Sequence, residues 1–508
     1  MSNNKRIAKN TMFLYFRMIL IMGVTLYMSR VLLDKLGVDD YGLYNVVGGV
    51  VGMLSFINGT LSIGTMRYVT YELGRNEKKR LHTTFNTAFY THLALALLLV
   101  LILETAGLWY VYNKMVVPEG RFSAAIIAYH ISILTSIVSI TQVPYTSLIM
   151  AHERMGIYAY ISIFEATAKL LVVYLLSISH YDRLVVYAIL IAIVQVMVAM
   201  LYRLYCRKHF IESKLQLIFD KSIFRDMMGF SGWNIIANLS ETLNLQGVVV
   251  LINLFFAPYV VAAQAIANQV SGTMMQFVNN FRTAINPQII KLYASGDWEE
   301  SKKITLETTT YCFDLVLLIG LPAIVVMDKL MEIWLVEVPP YAVVFTQWII
   351  VRQIMSTFST SFYVPMMAAN KMKVNSVASF FSGIGMFTVL YFLFKLGFGP
   401  MWIQYTSLIS ALMFSLIIKP YVLHKDINYT IRELFSCFWS CAIVALLSMA
   451  FTTPILLLGN SFGDCLLKMI IAFIAVAVSS WMMMNKVMKQ KCIALLKSKI
   501  ETYRYLYR

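Results

Sequence analysis

The chain has 508 residues, of which 59% are hydrophobic and 13% charged, and its mean hydropathy of +0.70 excludes a soluble globular fold. Repeated apolar runs of about 20 residues, the length that crosses a bilayer, define a polytopic helical membrane protein instead. The formal charge of +16 is then a matter of sidedness, because basic loops mark the cytoplasmic face of such proteins.

Taken in chain order, the apolar runs predict fourteen spans, near 10–33, 42–66, 84–106, 122–149, 156–178, 184–204, 229–256, 259–286, 306–327, 341–368, 374–394, 400–423, 435–458 and 465–485. The basic segment Met1–Asn10 precedes a long apolar run that no small-residue cleavage site ends, so it reads as the start of a retained span. An even number of spans places both termini on one side. Lys and Arg concentrate in the loops and tails of that side, which predicts cytoplasmic termini. The opposite loops are short, the longest about Gly107–Arg121, and leave no room for an extracytoplasmic catalytic domain. Cys437 and Cys441 stand one helical turn apart in an apolar run and read as packing residues, since a metal site needs more ligands.

The widest connection, about Tyr205–Met228, is basic and reads as a linker between halves. Met150-Ala151-His152-Glu153-Arg154-Met155 closes the fourth span, and Met367-Ala368-Ala369-Asn370-Lys371-Met372 closes the tenth. Phe56-Ile57-Asn58 likewise echoes Phe277-Val278-Asn279. Both echoes lie six spans apart, an even number, which makes the halves parallel repeats about an axis along the membrane normal. The expected organisation is an N-lobe at 1–205, a cytoplasmic linker at 206–228, a C-lobe at 229–425, two further helices at 426–485 and a basic tail at 486–508. The tail places Ile493, Leu496 and Ile500 on one face, suited to an anionic inner leaflet.

The stretch from Phe230 to Pro287 carries polar residues where lipid-facing helices have none. Asn234, Asn238 and Glu241 share one face of the seventh span; Asn268, Gly272, Met275, Asn279, Arg282 and Asn286 form a stripe on the eighth. A charge at the bilayer centre costs about 2.5–3.5 kcal/mol on insertion scales, so such residues face protein or water. Two adjacent stripes predict a water-filled cavity; the alternative is hydrogen bonding between helices without a ligand. Arg17 falls level with Asn238 in the repeat, and either holds an anionic headgroup with Arg282 or reaches back to the interface. Arg352 lies deeper in its span, whereas Arg30 points away from Arg17. Glu165 and Lys169 at i, i+4 suit an internal salt bridge, or a proton or cation site that the pair controls. Asp314 is a further candidate for ion coupling, and Gly48, Gly49 and Gly52 form a face for close helix contact. No nucleotide-binding loop, zinc motif or nucleophile elbow is present, so no hydrolysis on this chain drives transport and no cofactor is expected.

The segments Lys5-Arg6-Ile7-Ala8-Lys9-Asn10-Thr11, Leu36-Gly37-Val38-Asp39-Asp40-Tyr41-Gly42-Leu43-Tyr44-Asn45 and Glu72-Leu73-Gly74-Arg75 resemble those of bacterial polysaccharide-biosynthesis flippases. These belong to the multidrug/oligosaccharidyl-lipid/polysaccharide exporter superfamily. The resemblance implies two six-helix lobes around a central cavity, with two additional helices, in the bacterial cytoplasmic membrane. It also implies flipping of undecaprenyl-diphosphate-linked oligosaccharides to the outer leaflet for surface polysaccharides such as O-antigen, with polysaccharide assembly proteins as partners. In the related lipid II flippases, arginines of the first and eighth spans serve the diphosphate, and Arg17 and Arg282 stand in comparable spans. Arg352 would assist, while Asn238, Glu241, Asn268 and Asn279 would line the cavity. The coupling ion would be H+ or Na+, with Glu165, Lys169 and Asp314 as its candidates. The rival reading is a cation-coupled exporter of small molecules on the same fold. Such exporters often use a carboxylate in the first lobe; the first span here offers Arg17 and no carboxylate, which leaves Glu165 as the substitute in that reading.

Overall fold

The computed structural model describes residues 3–53, 65–66, 68–73, 77–152, 154–228, 242–369, 371, 373–457, 459, 461–484 and 489–490. Among the side chains of these helices, those before residue 20 and those at 280, 283, 284, 287, 291, 294 and 456 lie outside the description. The described residues form helices and no strands. In chain order the helices include α1 (Asn3–Gly52), α2 (Lys78–Asn113), α3 (Phe122–Ala151), α4 (Met155–Leu175), α5 (Arg183–His209), α6 (Leu243–Phe255), α7 (Pro258–Ala294), α8 (Trp298–Val325), α9 (Met327–Trp334), α10 (Ala342–Ala368), α11 (Lys373–Lys395), α12 (Trp402–Ile427), α13 (Ile431–Thr452) and α14 (Phe462–Met483).

Nine of these, α2–α5, α8 and α11–α14, are long and apolar enough to cross a bilayer. They coincide with nine of the apolar runs read from the sequence. Helices α7 and α10 are long but too polar to join that set. Residues 229–241 of the expected seventh span, and 54–64 of the second, lie outside the described residues.

Contacts divide the chain into two compact units. Unit 1 is Met1–Gln269 with Glu332–Phe345 and Ser376–Thr406; unit 2 is Val270–Met331 with Thr346–Asn375 and Ser407–Arg508. A helix-to-helix loop was expected near 34–41. Instead α1 runs on and breaks at Gly37 alone, with φ 79° and ψ 169°. That backbone conformation is open only to glycine without strain. A methyl at Gly37 would meet nothing within 4 Å, so substitution there tests torsion alone. Gly37→Ala is expected to lower the stability of the detergent-solubilised protein by about 1–3 kcal/mol, read as a lower melting temperature. Gly48→Ala, in regular helix with open space around it, is expected to hold or raise it.

In unit 1, α1 approaches α6 and α7 through glycines. A Cβ at Gly49 would stand 3.0 Å from Val249, one at Gly52 3.2 Å from Gln246, and one at Gly42 would overlap the carbonyl oxygen of Pro258. Pro258 opens α7 two residues after α6 ends in extended backbone at Phe256, a place where the missing N–H costs nothing. Glu72, from one of the family-like segments, is buried and pairs with Arg80 of α2 at 3.2 Å. The connection after α5 is fastened to α2. The Lys214 carbonyl accepts from Asn86 at 3.3 Å, Asn86 accepts from the Gln216 amide at 2.8 Å, and Ile223 and Met227 pack on Ala88.

Arg121, ahead of α3, bridges two aspartates, pairing with Asp40 at 2.6 Å and with Asp182. Asp182 also caps α5, accepting from the Leu184 amide at 3.0 Å. Its hydrogen bond from Arg121, with help from the Leu184 and Val185 amides, outweighs burial and holds its carboxyl below the usual range. Asp40 runs the other way, because burial pushes its carboxyl up against the pull of Arg121. A depressed carboxyl contributes stability that is present above its unfolded value and lost as pH falls through the folded one. The Asp182 contribution is therefore expected to fade between about pH 5 and pH 2. Melting curves should show Arg121→Gln flattening this acid-side loss and Asp40→Asn steepening it.

Candidate anion-binding site

The polar stripe of α7 meets different partners along its length. In unit 1, Gln264 donates to Asn268 at 2.9 Å and accepts from Gln404 at 2.7 Å. Gln269 accepts from Ser29 at 2.6 Å and donates to the Thr25 carbonyl at 2.8 Å. Arg30 donates to the Ile333 carbonyl at 2.7 Å, and Trp334 returns a bond to the Leu26 carbonyl at 2.7 Å. Arg30 is thus spent on tying α9 to α1.

In unit 2 the stripe turns cationic. Ser271 donates to Gln353 of α10 at 3.2 Å and accepts from Arg352 at 3.4 Å. Gln353 donates to the sulfur of Met275. Arg282, 8% exposed, donates to the Thr360 carbonyl of α10. A third cation arrives from α12. Its π-helical turn, Met413–Ile418, leads directly into Lys419-Pro420. Ser415 then donates to the Met355 carbonyl and Lys419 to the Ser359 carbonyl, each at 2.7 Å. Lys419 is 6% exposed and also stands 5.3 Å from the Tyr363 ring. Arg282 and Lys419 are therefore seated on consecutive carbonyls of one helix, close enough to repel each other. The Arg352 position is two turns away along α10, about 12 Å.

Among the described residues, none of these three cations has a carboxylate partner; the ion pairs present use other basic side chains. Among the described residues, the Nε atoms of Arg282 and Arg352 are buried with no partner. Removing a charge from water costs several kcal/mol unless an opposite charge compensates. Helix carbonyls supply only partial charge, so the arrangement is suited to an anion with several oxygens.

Of the other residues expected at the site, Asn279 is exposed on α7 and Asn268 belongs to the unit 1 network. Arg17 lies on α1 where side chains are outside the description, and Asn238 and Glu241 lie outside the described residues. Glu165 and Lys169 bond each other at 2.5 Å on α4. Asp314 lies on α8 beside a separate cavity of about 220 Å³. Lys419 was not among the expected residues. The available signal was a lysine ahead of a proline inside an apolar run.

The helical fold is similar to that of solved multidrug and lipid-flipping transporters, several of them described as members of the MOP superfamily. The lipid II flippase MurJ, in an inward closed conformation, superposes with a TM-score of 0.67 at 13% identity, covering 96% of this chain and 100% of that one. The MATE multidrug transporter DinF-BH, in complex with R6G, gives 0.62 at 14% identity, covering 86% and 97%. A MOP superfamily transporter from Pyrococcus furiosus gives 0.58 at 12% identity, covering 81% and 94%. At these identities the likeness is one of fold. The chain belongs to the polysaccharide biosynthesis protein family, whose profile matches residues 7–293. Among curated proteins no match was found.

Proposed function

We propose that the chain is a flippase that moves an undecaprenyl-diphosphate-linked oligosaccharide from the cytoplasmic to the outer leaflet by alternating access. The observation that carries this reading is the pair of buried cations, Arg282 and Lys419, with no carboxylate partner among the described residues. A diphosphate has fixed negative charge and the oxygens to satisfy both. Family membership supports a role in polysaccharide assembly, and the fold likeness to MurJ supports a lipid-linked substrate. In this reading Arg352 and Arg17 add to the diphosphate site, and Asn238, Glu241, Asn268 and Asn279 bond glycan hydroxyls. The lipid tail stays in the bilayer. Fourteen spans, repeats at 1–205 and 229–425 and cytoplasmic termini complete the arrangement.

A cation-coupled exporter of small molecules is the second reading, favoured by the membrane-embedded Asp314. Deleting the gene separates the two. A flippase deletion loses surface polysaccharide and accumulates its lipid-linked precursor. Drug sensitivity with normal surface glycan would overturn the flippase reading.

A further inference from the structure

Helix α8 packs against α13 and α14 within unit 2. At that seam lies the cavity of about 220 Å³ beside Asp314. Leu315, Leu318, Ala477 and Met484 make its wall apolar, and Tyr311 and Ser480 bring the hydroxyls. Among the described residues, Asp314 Oδ1 and the Ser479 hydroxyl are buried with no hydrogen-bond partner, and the Ser480 hydroxyl lies within hydrogen-bonding reach of the Asp314 carboxyl. No basic side chain pairs with Asp314 among the described residues. Among the described residues, the titratable groups around it are Tyr311 and, two turns earlier, Glu307 on its own helix, Cys437 and Cys441 on α13, and Lys489, which donates to the Met482 carbonyl at the end of α14. Lys468 of α14 is twelve positions before Ser480, about 18 Å along the helix. Arg282 of α7 lies toward Cys312, which an α-helix turns well away from position 314.

A carboxylate at this depth without a counter-charge sheds its charge to a proton or to a bound metal cation. A hard cation gathers oxygen ligands on most sides. This wall offers one carboxylate and two hydroxyls against four apolar side chains. A proton needs only the carboxylate. We propose that Asp314 is a proton-binding site whose occupancy sets the packing of α8 against α13 and α14, and so lets a proton gradient act on translocation. The coupling half of this proposal rests on the flippase reading; the proton site does not. The step is a simple one, in which the carboxylate takes up a proton from water and later returns it.

The test is infrared titration of the full chain in lipid nanodiscs between about pH 5 and pH 9. The expected result is a protonated-carboxyl band that grows as pH falls in the wild type, is missing from Asp314→Asn and persists in Asp314→Glu. Size exclusion and melting would establish that both variants fold. Identical spectra in wild type and Asp314→Asn would overturn the proposal. So would an Asp314-dependent band indifferent to pH, or a carboxylate signal that answers to sodium at fixed pH. In proteoliposomes loaded with a polyprenyl-diphosphate oligosaccharide, an imposed pH gradient should change the wild-type rate severalfold and leave Asp314→Asn unmoved. Equal gradient dependence in both would overturn the coupling. A wild type that moves no glycan lipid would count against the flippase reading and leave the infrared result to judge Asp314.

Discussion

Arg282→Ala is expected to lower the translocation rate by about 10- to 150-fold, the equivalent of one charge-assisted hydrogen bond worth about 1.5–3 kcal/mol. Lys419→Ala should act in the same direction, because its ammonium sits on the carbonyl adjacent to the one that seats Arg282. The two effects should not simply add, since both cations serve one ligand. Arg282→Lys should recover only part of the rate, as a lysine cannot grip two phosphate oxygens with a planar fork. Stability gives the opposite sign. A buried cation without a carboxylate is a cost to the fold, so Arg282→Ala and Lys419→Met should melt at the wild-type temperature or above it. Rate lost with stability kept is the signature of a ligand-binding cation. Rate and stability lost together would mark both residues as structural.

Gly42→Val is expected to be the most damaging single change outside the site. The Cβ added at Gly42 would overlap the carbonyl oxygen and carbon of Pro258, which are backbone atoms at the start of α7. No rotamer relieves that contact, so α1 and α7 must part. Overpacking of this kind costs about 1–3 kcal/mol, and more where the backbone has to move. Gly52→Ala offers the comparison, because its neighbour is the flexible side chain of Gln246. Yield of monodisperse protein in detergent and its melting temperature should fall sharply for Gly42→Val and slightly for Gly52→Ala. Equal behaviour would contradict the close approach of α1 to α7.

Much of this was legible in the sequence, for physical reasons. The apolar runs that became α2–α5, α8 and α11–α14 announce themselves because the bilayer demands continuous hydrophobicity. The shared Met-Ala ending is a good landmark: Ala151 closes α3 and Ala368 closes α10. The polar stripe of α7 was readable because 3.6-residue periodicity aligns Met275 and Arg282 on one side, and both do meet α10. Lys419 escaped because the π turn at Met413–Ile418 shifts the phase of α12. Periodicity assumes regular helix, and it cannot show Ser415 and Lys419 reaching α10 together. The break in α1 falls inside the expected loop but is far shorter, for a related reason. Gly37-Val38-Asp39-Asp40 has the composition of a loop, yet one residue with positive φ makes the bend and helix resumes at once. Arg30 illustrates a third limit: its carbonyl acceptor at Ile333 lies three hundred residues away, and backbone acceptors leave no mark on sequence.

The most direct measurement is the arrival of a polyprenyl-diphosphate oligosaccharide in the opposite leaflet of sealed proteoliposomes, scored by a membrane-impermeant glycan-modifying enzyme. The flippase reading requires protein-dependent arrival that Arg282→Ala and Lys419→Ala suppress. Arrival at the protein-free rate across several glycans, with and without an imposed ion gradient, would contradict it.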